Sequence, residues 1–188
     1  MLSSKYVKDY RMDTETTSTG KVKRKMVYVG PFYTWDLEGE VFAGLRRRYT
    51  LSVLAGWVCF LGSMLFYSKL SRLWYVILPY TFLILVLFFA TCAVWNLYFA
   101  GQPMTRECKE KTWDRMRSSS VMGMLCCVVT AVGLVTGMLQ NRCTQMEDFL
   151  FSLGDVFIFL FLLYGFKASK RLNVKETENP VAAEWKDK

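Results

Sequence analysis

The sequence predicts an all-α integral membrane protein, a four-transmembrane-helix bundle with both termini in the cytoplasm and short cytoplasmic helices at the membrane interface. Two observations support this fold class. Hydrophobic residues make up 53% of the 188-residue chain, and they are concentrated in long runs, as in chains that cross a bilayer. Lysine and arginine are distributed unevenly between the segments that separate those runs. The length is that of a single domain.

Four runs are long and apolar enough to form a membrane-spanning helix, which takes about 20 residues. They cover approximately residues 50–67, 73–97, 119–139 and 149–166, and within them Asp155 is the one ionisable Asp, Glu, Lys or Arg. A soluble protein can bury one such run in its core, but not four. Because the first run follows 48 largely polar residues, we expect a permanent anchor rather than a cleaved signal peptide.

The distribution of basic residues predicts the orientation. With both termini inside, 21 of the 24 lysines and arginines lie on the cytoplasmic side, in agreement with the positive-inside rule. Arg46, Arg47 and Arg48 directly precede the first run and are expected to anchor it at lipid headgroups. The predicted location is therefore the cell membrane, with anionic lipid at the cytoplasmic face as a partner. This topology accounts for the net charge of +8, so no nucleic-acid partner is expected.

Outside the membrane domain (residues 49–167), three segments are distinguished by composition. Residues 1–25 are rich in Ser, Thr, Lys and Asp and are expected to be a disordered cytoplasmic tail. Residues 26–48 predict an extended segment, then a helix that either lies in the interface or simply extends the first span. Residues 168–188 predict a frayed cytoplasmic tail.

The loop between the second and third spans predicts another cytoplasmic helix. Thr105 is positioned as its N-cap, with Glu107 early and basic residues late. The triplet Thr-Trp-Asp occurs at residues 34–36 and again at 112–114, before the first and third spans. This leaves open a duplication of two helix pairs.

Small residues indicate where the helices touch, because close backbone approach drives helix association in lipid. The expected packing positions are Ser52, Gly56, Cys59 and Ser63 in the first span and Gly133 and Gly137 in the third. The Gly133–Gly137 pair either packs within the chain or forms a dimer contact. Pro79 either starts the regular second helix or kinks it.

Asp155 is the candidate functional residue. A carboxylate at this depth costs at least about 2.5–3.5 kcal/mol on insertion scales, so it must find a donor or take a proton. The donors expected within reach are Thr130, Thr136, Ser63, Tyr80, Thr81 and Arg142. Asp155 is either a proton- or cation-responsive group or a structural residue that fixes helix register.

The chain contains no histidine, which excludes imidazole-dependent triads, H-E-x-x-H zinc sites and histidine-ligated haem. No nucleotide-binding loop is present, and the six cysteines are not spaced as metal ligands. Catalytic residues, metal and cofactor are therefore expected to be absent. Three functions remain: a non-enzymatic accessory or assembly protein with a protein partner, a small transporter or channel around Asp155 and acting as a homo-oligomer, and a lipid-modifying enzyme. The only place for the third is the group Trp35, Asp36, Trp113 and Asp114.

The predicted orientation can be tested with the native cysteines. A membrane-impermeant maleimide added to intact cells is expected to label Cys143, in the outer connection, and not Cys108, in the cytoplasmic loop. Permeabilised cells provide the control in which both react. Labelling of Cys108 but not Cys143 on intact cells would show that the orientation is the reverse of the predicted one.

Overall fold

The computed structural model describes residues 4–16, 22–35, 39–66, 68–100, 103–141, 145–170 and 174–177. The described chain is mostly helical. Four long α-helices form its body: α1 (Gly39–Met64), α2 (Trp74–Phe99), α4 (Arg115–Asn141) and α5 (Met146–Lys170). The short helix α3 (Arg106–Lys109) and a π-helical turn (Glu110–Asp114) lead directly into α4.

The four long helices form an antiparallel bundle. Around the bundle, α1 contacts α2, α2 contacts α4, α4 contacts α5, and α5 contacts α1. The core between them is apolar and aromatic, and Phe60, Leu83 and Ile158 are almost completely buried in it. This order places the two described ends of the chain, which precede α1 and follow α5, at the same end of the bundle.

Within the part of the chain that the structure describes, three helices are long and apolar enough to cross a membrane: α2, the continuous helix Arg106–Gln140, and α5. The remaining long helix, α1, is not apolar enough over the length of a membrane span. Its apolar part begins only after Arg48 and the helix ends at Met64, so a window of spanning length necessarily includes charged residues. Helix α1 is nevertheless continuous from Gly39. Residues 39–48 and the first apolar run thus belong to one helix.

The N-terminal segment is folded where the sequence analysis expected disorder. A 3-10 helix (Ser4–Asp9) leads into β1 (Tyr10–Thr16), which pairs antiparallel with β2 (Val22–Tyr28). The hairpin is closed by the Asp9 carbonyl, which accepts hydrogen bonds from the amides of Val29 and Gly30 at 2.9 and 3.2 Å. The Tyr28 hydroxyl accepts a 3.0 Å bond from the Arg106 amide. These long-range ties, rather than local hydrophobicity, order the segment.

The expected extended segment is present as β2 and β3 (Phe32–Trp35). Strand β3 pairs antiparallel with β4 (Val174–Thr177), so part of the C-terminal tail, expected to be frayed, is a strand. Tyr33 also forms a backbone bridge with Met104. We call the described residues 4–35, 103–114 and 174–177 the cap, because they cover one end of the bundle.

Two further expectations concern local helix geometry. Thr105 is an N-cap, because its side chain accepts a hydrogen bond from the Cys108 amide. Helix α2 continues through Pro79 from Trp74, so the proline lies within the helix near its start rather than beginning it. The suggested duplication is not matched by the fold, because Thr34 and Trp35 lie in a strand, whereas Thr112 and Trp113 lie in the π-helical turn.

The contact between α1 and α5 depends on a glycine that the sequence analysis did not single out. A Cβ at Gly154 would lie 2.7 Å from the Ser63 Cβ, which cannot move without the backbone of α1. We expect Gly154→Ala to lower the free energy of unfolding by about 1–3 kcal/mol through overpacking. Thermal unfolding of the purified protein in detergent measures this effect.

Gly62→Ala is the matched control, because a Cβ at Gly62 meets nothing within 4 Å. Alanine also has the higher helix propensity, so this variant is expected to be unchanged or slightly more stable. Equal stability of the two variants would contradict the close approach of α1 and α5.

Candidate functional site

Asp155 lies in the interior of the bundle, with only 2% of its surface exposed. The Cys127 thiol of α4 and the Tyr80 hydroxyl of α2 are both close enough to Asp155 to interact with its carboxyl group. The Oδ1 atom of Asp155 has no hydrogen-bond partner among the described residues. The side chain is therefore incompletely satisfied in a closed, polar pocket of the core.

Most of the donors expected for Asp155 are engaged elsewhere. Ser63 and Tyr80 are hydrogen-bonded to each other. The hydroxyls of Thr130, Thr136 and Thr81 each donate to a carbonyl one turn back in their own helix. Arg142 lies outside the described residues. The neighbour that the structure provides, Cys127, is not among the expected donors.

Aromatic rings surround this polar pocket. Tyr80 stacks on Phe60 with ring centroids 4.9 Å apart and contacts Phe151 at 4.7 Å. Phe60 and Phe151 are both buried. Asp155 is not among the residues that line the cavities at the cap end of the bundle. The packing around it holds the carboxyl group in place.

A second buried carboxylate, Asp148, organises the end of the bundle opposite the cap. One oxygen accepts a 2.6 Å bond from the Ser68 hydroxyl and a 3.4 Å bond from the Leu70 amide. The other accepts a 3.0 Å bond from the Gln145 amide. Asp148 thus caps the first turn of α5 and joins it to the α1–α2 connection. The sequence signal was its position three residues after Gln145, at a helix start.

At the cap, Glu110 is a hub for the N-terminal segment. It accepts hydrogen bonds from the Lys5 ammonium and, at 2.9 Å, from the Tyr6 hydroxyl, and Arg106 lies 3.4 Å from its second oxygen. The bond to Glu110 raises the pKa of the Lys5 ammonium above its ordinary value. Burial, assisted by the bond to Glu110, raises the pKa of Tyr6. These contacts fix the 3-10 helix against the π-helical turn.

The two tryptophans of the repeated triplets meet at the cap. Trp35 is buried, and its ring lies 5.8 Å from that of Trp113 and 5.3 Å from that of Phe42. Asp36 lies outside the described residues, and Asp114 is exposed. Within the described ranges, no group of three or more His, Cys, Asp or Glu residues could hold a metal ion. The cluster packs β3 against the bundle.

The expected packing residues lie in helix interfaces within the chain. The Ser52 hydroxyl donates a 2.6 Å bond to the Phe161 carbonyl of α5. A Cβ on Gly56 would meet Leu87, and one on Gly154 would meet Ser63 and approach the Cys59 carbonyl. Gly133 and Gly137 face the beginning of α2 and the turn before it, against Val76, Tyr75, Leu73 and Leu70.

The expected headgroup anchors lie on α1 near the cap. The Arg46 guanidinium lies 4.3 Å from the ring centroid of Tyr98, near the end of α2. Arg47 and Arg48 are exposed. A triplet of arginines on one helix thus combines one side chain stacked on an aromatic ring with two that face outward.

The hairpin β1–β2 presents a surface that the sequence analysis missed. Met12 and Met26 are directly paired across the two strands, and they are 67% and 54% exposed. Side chains alternate between the two faces of a strand, so Arg24, which is paired with Thr14, shares their face, and its side chain is exposed. No sequence signal identified this surface, because the cross-strand pair exists only once the hairpin forms.

No known protein family, no curated protein and no solved structure matches this chain. What the protein does must therefore be inferred from its own geometry.

The Asp148 hub makes a quantitative prediction. Asp148→Ala removes the acceptor for three donors and with it the capping interaction at the start of α5, so we expect the free energy of unfolding to fall by about 2–4 kcal/mol. Thermal or chemical unfolding in detergent measures the loss. Glu147→Ala is the matched control, since Glu147 is the exposed neighbour and should change stability by less than about 0.5 kcal/mol. If the two variants unfold with the same free energy, Asp148 does not stabilise the fold.

Proposed function

We propose that this chain is a four-span protein of the cell membrane, with both termini in the cytoplasm, that acts as an accessory or assembly subunit by docking another protein on its cap. The topology supplies the first part of the argument. The outward face of α1 carries Leu51, Leu54, Val58 and Leu61, all more than half exposed. Such an apolar face suits lipid, which supports α1 as a fourth span beside the three helices of sufficient hydropathy.

The orientation follows from charge. The cap and the adjoining helix ends hold most of the lysines and arginines, whereas Lys69, Arg72 and Arg142 lie in the opposite connections. With the cap in the cytoplasm, the positive-inside rule is satisfied. The labelling of Cys143 and Cys108 tests this part of the proposal.

The observation that carries the docking role is the exposed methionine pair on the β1–β2 hairpin. Methionine is flexible and polarisable and is common at surfaces that bind varied partners. The exposed Arg24, on the same face of the hairpin as Met12 and Met26, favours an apolar partner segment with an acidic flank, because the charges complement each other. The hairpin is held to the bundle through Tyr28 and Glu110, so a partner bound there would be fixed relative to the membrane domain.

A transport role built on Asp155 is the second candidate, and one observation favours it. The unpartnered Oδ1 atom is a costly feature in a membrane interior, and such features often mark ion or proton sites. The tight aromatic packing of Phe60, Tyr80 and Phe151 argues for a structural role. A conformational change would be required to open a path to this carboxyl group.

The docking role predicts that replacing the exposed methionine pair weakens the binding of a partner protein. Tagged full-length protein, purified from its native membrane in mild detergent, is expected to retain a stoichiometric second protein, as judged by mass spectrometry of the intact assembly. Met12→Ser/Met26→Ser is expected to reduce that retention at least about tenfold, through the lost apolar contact area. Val7→Ser is the control, because Val7 is similarly exposed but belongs to the 3-10 helix.

Three outcomes decide between the candidates. A partner that is retained equally by the methionine variant and wild type would overturn the hairpin as its docking surface. A homo-oligomer without any partner would overturn the accessory role. In that case, loss of a proton- or cation-linked flux on Asp155→Asn, in a variant that folds normally, would support transport instead.

A further inference from the structure

A cavity lies between α2 and α4, where these helices meet the cap. Its volume is about 680 Å³, within the usual range for a small-molecule site. One wall is apolar and formed by Phe82, Leu85 and Phe89 of α2 and Met122 of α4. These side chains are roughly half exposed, so the cavity is a groove that opens on the outer face of the bundle.

The other wall is polar and lies toward the cap. Lys5, Glu110, Asp114 and Arg115 line it, so its formal charge is zero. Lys5 and Glu110 are paired with each other. The charges that remain for a ligand are the guanidinium of Arg115, which lies 5.7 Å from the Phe89 ring centroid, and the carboxylate of Asp114. The structure gives neither of them an ion-pair partner among the described residues.

Two hydroxyls complete the polar wall. Ser118 donates to the Arg115 carbonyl at 3.2 Å, and Ser119 donates to the Met116 carbonyl at 3.1 Å. Since each hydroxyl proton is used, each oxygen is left as an acceptor. The groove therefore offers an N–H donor at Arg115 and acceptors at Asp114, Ser118 and Ser119, above an apolar wall.

We infer that this groove binds one molecule of a zwitterionic glycerophospholipid whose headgroup ends in a primary ammonium. The phosphate would accept hydrogen bonds from Arg115, the ammonium would donate to Asp114 and the serine oxygens, and an acyl chain would lie along the phenylalanines. The inference requires only that the bundle is inserted in a bilayer, and it goes beyond the docking role of the hairpin.

Charge complementarity distinguishes this lipid from its alternatives. An anionic headgroup would leave Asp114 facing a second negative charge. A quaternary ammonium carries no N–H to donate to Asp114 or to Ser118. Only a headgroup with both a phosphate and a primary ammonium uses the donor and the acceptors together.

The test uses the purified full-length protein, delipidated in detergent and offered phosphatidylethanolamine, phosphatidylcholine or phosphatidylglycerol with identical acyl chains. Native mass spectrometry measures how much lipid is retained, and thermal unfolding measures stabilisation. Wild type is expected to retain phosphatidylethanolamine about tenfold better than either other lipid, the size expected for hydrogen bonds to a charged group. Equal retention of the three lipids, or preference for phosphatidylglycerol, would overturn the inference.

Two variants assign the selectivity to the groove. Asp114→Asn is expected to retain phosphatidylethanolamine and phosphatidylcholine equally, whereas Arg115→Gln is expected to retain all three lipids less well. Glu40→Gln is the matched control, because Glu40 is exposed and does not line this groove. Unchanged selectivity in Asp114→Asn would refute the site. No partner protein is present in this assay, so its outcome is independent of the docking experiment.

Discussion

The antiparallel contact between α1 and α5 is the constraint on which the rest of the structure depends. In lipid, helices are held together by close packing rather than by the hydrophobic effect, and this contact is close at Gly154 against Ser63 and at Gly165 against Tyr49. It closes the ring of four helices. It also brings together the segments that flank it, so that β3, just before α1, can pair with β4, just after α5. The β3–β4 pair of the cap can form because these two helices meet.

The sequence predicted the helical body well because its signals are local. Each of these signals consists of residues that are close together in the sequence: the long apolar runs, the arginine triplet at 46–48 and the N-cap at Thr105. The hairpin and the β3–β4 pair were missed because their stability comes from partners far along the chain. The segment Tyr10–Thr16 is polar, which is typical of disordered chains. Yet Tyr28, in the strand paired with it, is bonded to Arg106, and Tyr6, just before it, is bonded to Glu110. No local pattern reports such contacts.

The candidate sites divide in the same way. Asp155 was evident from the sequence because a lone carboxylate in an apolar run is conspicuous. Its surroundings were not, since the expected hydroxyl donors bond to their own helices or to each other, and the neighbour of its carboxyl group is Cys127. The sequence did not single out Asp148, because it lies at the edge of the fourth apolar run, where acidic residues are common. Only the fold brings Ser68 and Leu70 to it.

The cap links the two surfaces to which we assign binding. The 3-10 helix Ser4–Asp9 supplies Lys5 to the groove between α2 and α4, and its last residue, Asp9, closes the base of the hairpin that carries Met12 and Met26. Glu110 holds this helix in place through Lys5 and Tyr6. A lipid that fills the groove would therefore contact the same short helix that positions the hairpin. By mass action, a ligand that binds only when the 3-10 helix is packed beside the groove stabilises that packing. Lipid binding and the placement of the hairpin would therefore favour each other through Glu110.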